Sequence, residues 1–316
     1  MKEQWVKQFS AGEKVSGLFS VADLSSARTK NDKLYLRFKA IDRTGSIESK
    51  LWDEELAKEC LSQLANGDII QLIGIVEAYN QQLQLNVKEC RCFDGEYDLE
   101  DFLPASPVSA KALQTQLESA ITSVKNVFMH DLLRGILTEP FLTQYSNSPA
   151  AQNVHHAYVR GLLEHSLEVA RFCWVFASQY PAEVDRDLLT TGALIHDMGK
   201  VDEYQCLPGF PIVERARLTG GHIVMGRDRL KAEIAQLESF PEALALVLEH
   251  MLVSHHGLKE WGALEEPSTV EAIILSQADL ASARINQAVN LVRQAGDSEW
   301  TEYNSLMRRK LWIPNY

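Results

Sequence analysis

The stretch TGALIHDMGKV, residues 191–201, decides how the rest of this 316-residue chain is read. An apolar run of helical composition ends in the adjacent pair His196-Asp197, and Gly199-Lys200 follow directly. Neighbours on a helix point about 100° apart, so an imidazole beside a carboxylate can address ions lodged among several helices. Asp197 has two oxygens and can bridge a metal pair, the clamp of two-metal hydrolysis. Gly199 is expected to permit a sharp exit from the helix. Lys200 then lies close enough to meet a substrate phosphate or the charge that develops on it.

The same chemistry recurs in both directions. His165 precedes the pair, and His222, the doublet His255-His256 and Asp279 follow it, most of them in segments that read as amphipathic helices. Imidazole and carboxylate together suit borderline divalent ions such as Mn, Fe, Co or Zn. These seven groups exceed the needs of one tetrahedral site and suffice for two octahedral ions sharing a ligand. The series points to metal-assisted hydrolysis, with one or two divalent ions as cofactor.

Composition bounds the setting. Hydrophobic content of 46% and charged content of 23% are ordinary for a soluble globular protein. Every apolar run is broken by polar residues before it reaches the length of a membrane span, so no membrane partner is expected. The N-terminus MKEQWVKQFSAGEKV lacks the apolar core of a signal peptide. The five cysteines are irregularly spaced and form no CxxC pair, which fits a reducing cytoplasm. A net charge of −12 argues against a coat for nonspecific nucleic-acid binding, but residues 1–95 are close to neutral and the excess lies beyond them.

Residues 13–92 read as strands separated by turns: Val15–Val21, Lys33–Ile41, Ser46–Trp52, Asp68–Glu77 and Leu83–Cys92, with a helical pattern at Asp53–Leu64. Arg43-Thr44-Gly45, Asn66-Gly67-Asp68 and Tyr79-Asn80-Gln81 supply turns. Five strands with a helix between the third and fourth is the element order of an OB-fold. On the second strand Leu34, Leu36, Phe38 and Ala40 share one face, and Lys33, Tyr35, Arg37 and Lys39 the other. Lys50 and Trp52 share the outer face of the third strand. This basic, aromatic surface offers phosphate attraction and stacking platforms to a single strand, although a barrel's outer face is ordinarily polar in any case. Cys90-x-Cys92 is read as packing.

Residues 93–109, acidic and then Pro/Ser-rich, mark a linker. The pattern from Ala110 is almost wholly helical, over 110–126, 128–137, 155–179, 185–197, 220–235, 241–254, 267–293 and 299–311. The expected fold is an α+β multidomain chain: an OB-type barrel at 1–95, a linker at 96–112 and an all-α bundle at 113–316. His250 reads as structural or supporting, and Arg308-Arg309-Lys310 as a solvated basic helix end.

ALIHDMGK resembles the signature of the HD-domain phosphohydrolase superfamily, which implies a helical bundle with its metal centre held by an H…HD…D set. Carried over, the ligands are His165, His196, Asp197 and Asp279, with His222, His255 and His256 added in two-metal members and Asp197 bridging. The chain is further similar to the YhaM-type 3′–5′ exoribonucleases through HHAYVRGLLEHSLEVA (155–170), GGHIVMG (220–226), SHHG (254–257) and PSTVEAIILSQADLASAR (267–284). It departs at Arg160, where a small residue is expected before Gly161. His155 and His156 match the pair upstream of the first ligand, and helix-start, substrate-contact and ligand roles all remain open for them. The resemblance implies hydrolysis of single-stranded RNA, or single-stranded DNA, from the 3′ end, with Mn favoured; Asp197 and Lys200 are the expected catalytic residues, and the composition and cysteines set the expected location as cytoplasmic. The rivals are a phosphohydrolase of free nucleotides with a regulatory barrel, and a noncatalytic nucleic-acid-binding protein. A further copy of the chain is the other partner considered.

Overall fold

Alternation along 34–42 is what closes the N-terminal unit. In the computed structural model, which describes residues 2–314 except 81, 153 and 208–211, Leu36, Phe38 and Ala40 are buried while Arg37 faces solvent. Five strands form a closed barrel in the order β1-β2-β3-β5-β4: β1 (Lys14–Arg28), β2 (Leu34–Asp42), β3 (Gly45–Leu51), β4 (Ile69–Tyr79) and β5 (Gln82–Cys92). All pairings are antiparallel except β3 with β5. Helix α1 (Glu54–Gln63) begins where the Asp53 carboxylate accepts from the Leu56 N–H, and it buries Ala57 and Cys60 against the barrel core. Closure removes the exposed strand edges that an open sheet of this size would carry. The expected OB-type barrel is thus present, and β1 runs longer than its alternation suggests because a register shift between Ala22 and Ser25 lets it continue past a bulge. Of the turn at Tyr79-Asn80-Gln81, residue 81 lies outside the described residues.

The chain divides into compact units Met1–Pro104 and Ala105–Tyr316. The second is helical: α2 (Ala110–Ser123), α3 (Val127–Ile136), α4 (Phe141–Asn147), α5 (Gly161–Ala177), α6 (Arg186–Ile195), α7 (Lys200–Glu203), α8 (Glu214–Thr219), α9 (Gly221–Ile234), α10 (Glu242–Ser254) and α11 (Val270–Ala295). Every residue of α6 from Leu188 to Ile195 is buried, so this short helix is surrounded rather than laid on a surface. It packs against α3, α5, α10 and α11, and Tyr145 of α4 donates to the Leu194 carbonyl at 2.8 Å. Among the described residues no helix is long and apolar enough to cross a membrane.

Two expected helices differ. Residues 155–160 precede α5 instead of forming its first turns, because His156 and Arg160 adopt positive φ of 46° and 68°. That left-handed conformation at Arg160 is the physical content of the small residue expected there: glycine would take it without cost. Residues 299–311 are not helical. Trp300 bridges Trp312 and Asn304 bridges Arg309 in an antiparallel hairpin. The Asn304 side chain accepts from the Met307 N–H, a local bond that competes with helix. Arg308-Arg309-Lys310 therefore lies in that hairpin and not at a helix end.

Because Phe38 is 1% exposed at the centre of the barrel, Phe38→Ala is expected to lower unfolding free energy by about 3–5 kcal/mol. Exposed Lys33→Ala should change it by less than about 0.5 kcal/mol. Urea denaturation followed by circular dichroism measures both.

Candidate metal centre

The centre forms where α6 and α10 end, at residues that are buried. His196 caps α6 and His255 caps α10, and each donates its Nδ1–H to a carbonyl three residues back, Ala193 at 2.9 Å and Leu252 at 2.7 Å. Those carbonyls belong to last turns that lack intrahelical partners, and the negative end of each helix dipole favours a cation nearby. Asp197 follows His196 in the turn to α7 and is 1% exposed. Gly199 sits in that turn at φ −68°, so its role is not a left-handed exit. A Cβ there would stand 2.0 Å from the His222 carbonyl oxygen and 2.6 Å from the Gly226 nitrogen. The glycine allows the turn to press against α9, which carries His222.

The sequence-predicted residues converge around the Asp197 carboxylate. Its Oδ2 lies 3.4 Å from His165 Nε2 and 3.3 Å from His196 Nε2. Its Oδ1 lies 3.5 Å from His222 Nε2 and 3.4 Å from His255 Nε2. His256 Nε2 is 3.4 Å from His222 Nε2. Two sets of atoms are close enough to share an ion, His165-His196-Asp197 and Asp197-His222-His255-His256, with Asp197 in both. Both members of the histidine doublet fall in the second set. Asp279 joins the first side through Oδ1, 3.0 Å from His165 Nε2 and 3.9 Å from His196 Nε2.

Tautomers can be assigned from the outward bonds. Besides His196 and His255, His222 Nδ1 meets Glu203 Oε2 at 2.7 Å. His165 Nδ1 meets Ser282 Oγ at 3.0 Å, and that hydroxyl donates to Glu168 Oε2 at 2.7 Å. In all four rings Nδ1 holds a proton and Nε2 points inward; at His196, His222 and His255 that nitrogen turns a lone pair toward carboxylate oxygens and other ring nitrogens. Asp197 Oδ1 and His255 Nε2 are buried without a hydrogen-bond partner, although they face one another. Lone pairs gathered at this spacing repel unless positive charge lies among them. The donor set therefore fits a divalent cation. Glu203, Ser282 and Glu168 were not singled out from the sequence. Asp202 beside Glu203 is an equally plausible carboxylate on paper, yet it pairs with Arg229 at 2.9 Å.

The field of the site is consistent with that fit. Burial would raise the Asp197 carboxyl, but the Lys200 ammonium and the surrounding imidazoles hold it well below the usual carboxylate range. Burial is likewise outweighed at Asp279, which the neighbouring His165 keeps ionised. His165 is raised to about 9 against burial by Asp197 and Asp279, a preference for positive charge at that ring. Lys200 Nζ donates to Asp197 Oδ2 at 2.6 Å. His155 lines the cavity beside the centre and is pushed down to about 3, chiefly by burial, so its ring is neutral. His156 turns away, its Nε2 3.3 Å from Glu168 and 3.2 Å from the Asn286 amide. His250 accepts from the Ser268 N–H at 2.8 Å, a structural role.

On the barrel, the register of β2 and β3 sets Arg37 opposite Lys50 and Lys39 opposite Glu48, while Lys33 precedes β2 and Trp52 follows β3. Tyr35 and Trp52 stack with ring centroids 4.5 Å apart. Lys50 Nζ lies 5.5 Å from the Trp52 ring and 5.4 Å from that of Tyr79, an exposed aromatic that the sequence reading had placed only in a turn. Lys39 is paired with Asp23 at 2.8 Å, which reduces what it offers a phosphate. Cys90 is buried and Cys92 exposed, both as free thiols.

Removing an outer partner of a metal-ligating histidine typically weakens the metal about 10–100-fold. Glu203→Ala is expected to weaken divalent-cation binding by that factor, measured by titration calorimetry with Mn.

Residues 162–284 match the HD domain family and residues 20–93 the family described as an OB-fold nucleic acid binding domain. An HD domain implies dependence on a divalent metal. Over nearly the whole chain, the 3′-5′ exoribonuclease YhaM of Listeria welshimeri is 30% identical across 306 residues, 95% of each protein. The proteins of that name from Bacillus subtilis and Bacillus velezensis are 29% and 30% identical across 311 and 312 residues, 96% of each chain. With 30% identity over 95% of both proteins, the chain belongs to the YhaM 3′-5′ exoribonuclease family.

Proposed function

We propose that this protein is a metal-dependent exonuclease that hydrolyses single-stranded RNA, or single-stranded DNA, from its 3′ end. The observation that carries the reading is the Asp197 carboxylate, with one oxygen toward each of two histidine groups inside an HD unit that follows an OB-type barrel. His165, His196, Asp197 and Asp279 would hold one ion and Asp197, His222, His255 and His256 a second. Mn is favoured by the family, and the imidazole–carboxylate set accepts it. Bound divalent cations supply Lewis-acid charge and lower the pKa of the attacking water.

The chain's own residues do the rest. The outward Nδ1 bonds of His165, His196, His222 and His255 fix ring orientation before substrate arrives. Lys200, buried beside Asp197, stabilises charge on the phosphoryl oxygens. Neutral His155 contacts the substrate at the cavity. The barrel unit, residues 1–95, would hold the strand through Arg37, Lys50 and the exposed Trp52, with Lys33, Tyr35 and Lys39 in support. Residues 96–112 link it to the catalytic unit at 113–316. The five cysteines, all free thiols, support a cytoplasmic setting.

Time-resolved product analysis on 5′-labelled single-stranded RNA with Mn tests the reading. A descending ladder of shortened strands is expected. Release from free nucleotides alone would instead favour a nucleotide phosphohydrolase. Asp197→Ala should abolish the ladder while strand binding stays near that of the wild type, and retained turnover in Mn-replete buffer would refute the metal assignment.

A further inference from the structure

A cavity of about 180 Å³ adjoins the centre, lined by His155, Lys200, His256, Asp279, Trp261, Ser276, Leu280 and Ala283. Its walls divide by chemistry. The first four belong to the cluster or touch it, whereas Trp261, Leu280 and Ala283 are apolar and take no part in it. Ser276, Asp279, Leu280 and Ala283 are spaced i, i+3, i+4 and i+7 along α11, so a single helix face supplies both a centre carboxylate and an apolar floor.

Trp261 is 49% exposed, far more than a core tryptophan, yet its loop is held firmly. It closes a short 3-10 turn, Lys259–Trp261, ended by Gly262 at φ 101°. The Gly262 and Ala263 N–H groups donate back to Lys259 and Leu258, and the Leu264 N–H donates to Val253 at 2.9 Å. A Cβ on Gly262 would meet His256 Nδ1 at 3.2 Å, so the turn is packed directly on a ring of the centre. The Arg284 guanidinium lies 5.9 Å from the indole centroid and braces it. The result is a preset aromatic plane beside the groups that would handle a phosphodiester.

From this geometry we infer that the Trp261 cavity is the subsite for the terminal base of the strand, which stacks on the indole while its phosphate faces Lys200 and the centre. The inference rests on the exonuclease reading and names the part of the substrate that the site grips. It also sets the specificity. The Ser276 hydroxyl already donates to the Ile273 carbonyl at 3.1 Å, and Leu280 and Ala283 carry no side-chain hydrogen-bonding group. The apolar wall presents a π-surface without a donor–acceptor pattern, so any base fits and none is read, as stepwise removal of successive nucleotides requires.

The test uses full-length protein and oligoribonucleotides that differ only at the 3′ terminus: uridine, guanosine or an abasic ribose. For the wild type, KM should be similar for the two bases and about ten- to a hundredfold higher for the abasic end, the range expected for one base–aromatic stack. Trp261→Ala should raise KM by that factor on the base-bearing ends and leave the abasic end unchanged, and Trp261→Phe should restore most of the loss. Equal loss on all three ends would mean that the indole only supports the fold, and no loss on any would remove it from the subsite; either overturns the proposal. A binding arm works without cleavage. Uridine 5′-monophosphate should bind the wild type at least about tenfold more tightly than ribose 5-phosphate, and Trp261→Ala should erase that difference. Failure of the wild type to shorten any strand would overturn the exonuclease reading alone, because the binding arm still decides the subsite.

Discussion

The buried carboxylate of Asp197 is the constraint around which the helical unit is organised. A carboxylate 1% exposed is strongly disfavoured by lost hydration, and here four inward-facing imidazole nitrogens and one ammonium surround it. Each oxygen serves a different set of rings, so a small rotation of this one side chain would disturb both. The rings come from α5, the end of α6, α9 and the end of α10, which means that four separate helices must dock before the cluster exists. Site formation and tertiary packing are therefore one event in this unit.

Rigidity at the site comes from groups that never face its interior. Two of the four rings are fixed by carbonyls of their own helix ends, which consumes acceptors that would otherwise be unsatisfied there. The other two depend on carboxylates: Glu203 directly for His222, and Glu168 through Ser282 for His165. Glycine acts in the same service. At Gly199 it is the absence of a side chain, not backbone freedom, that matters, since any Cβ would collide with α9 and push His222 away from Asp197.

Much of this was legible in the residue order. The alternation of Leu36, Phe38 and Ala40 with Arg37 and Lys39 gives the barrel strand and its outer face, because a strand buried on one side must repeat every second residue. His196-Asp197 at the end of an apolar run marks the centre, since adjacent polar groups there have no reason to be buried unless they share a task. Where local pattern misled, a short-range bond or a backbone conformation had won. Residues 299–311 have helical composition, but the Asn304 side chain captures the Met307 N–H and the segment turns. The run 155–160 continues the periodicity of α5, yet positive φ at His156 and Arg160 keeps it out of the helix.

What the sequence determined by itself is the inventory and its order: a small barrel, then helices carrying histidines and aspartates at their buried ends. These follow from local periodicity and from residue chemistry, which act over a few positions. Only the tertiary structure decided which of Asp202 and Glu203 supports His222, that His155 lines the cavity while His156 turns to Glu168, and that Trp261 stands beside Lys200. Those outcomes depend on distances between residues far apart in the chain, and such distances are set by how the helices pack, a property that no local window contains.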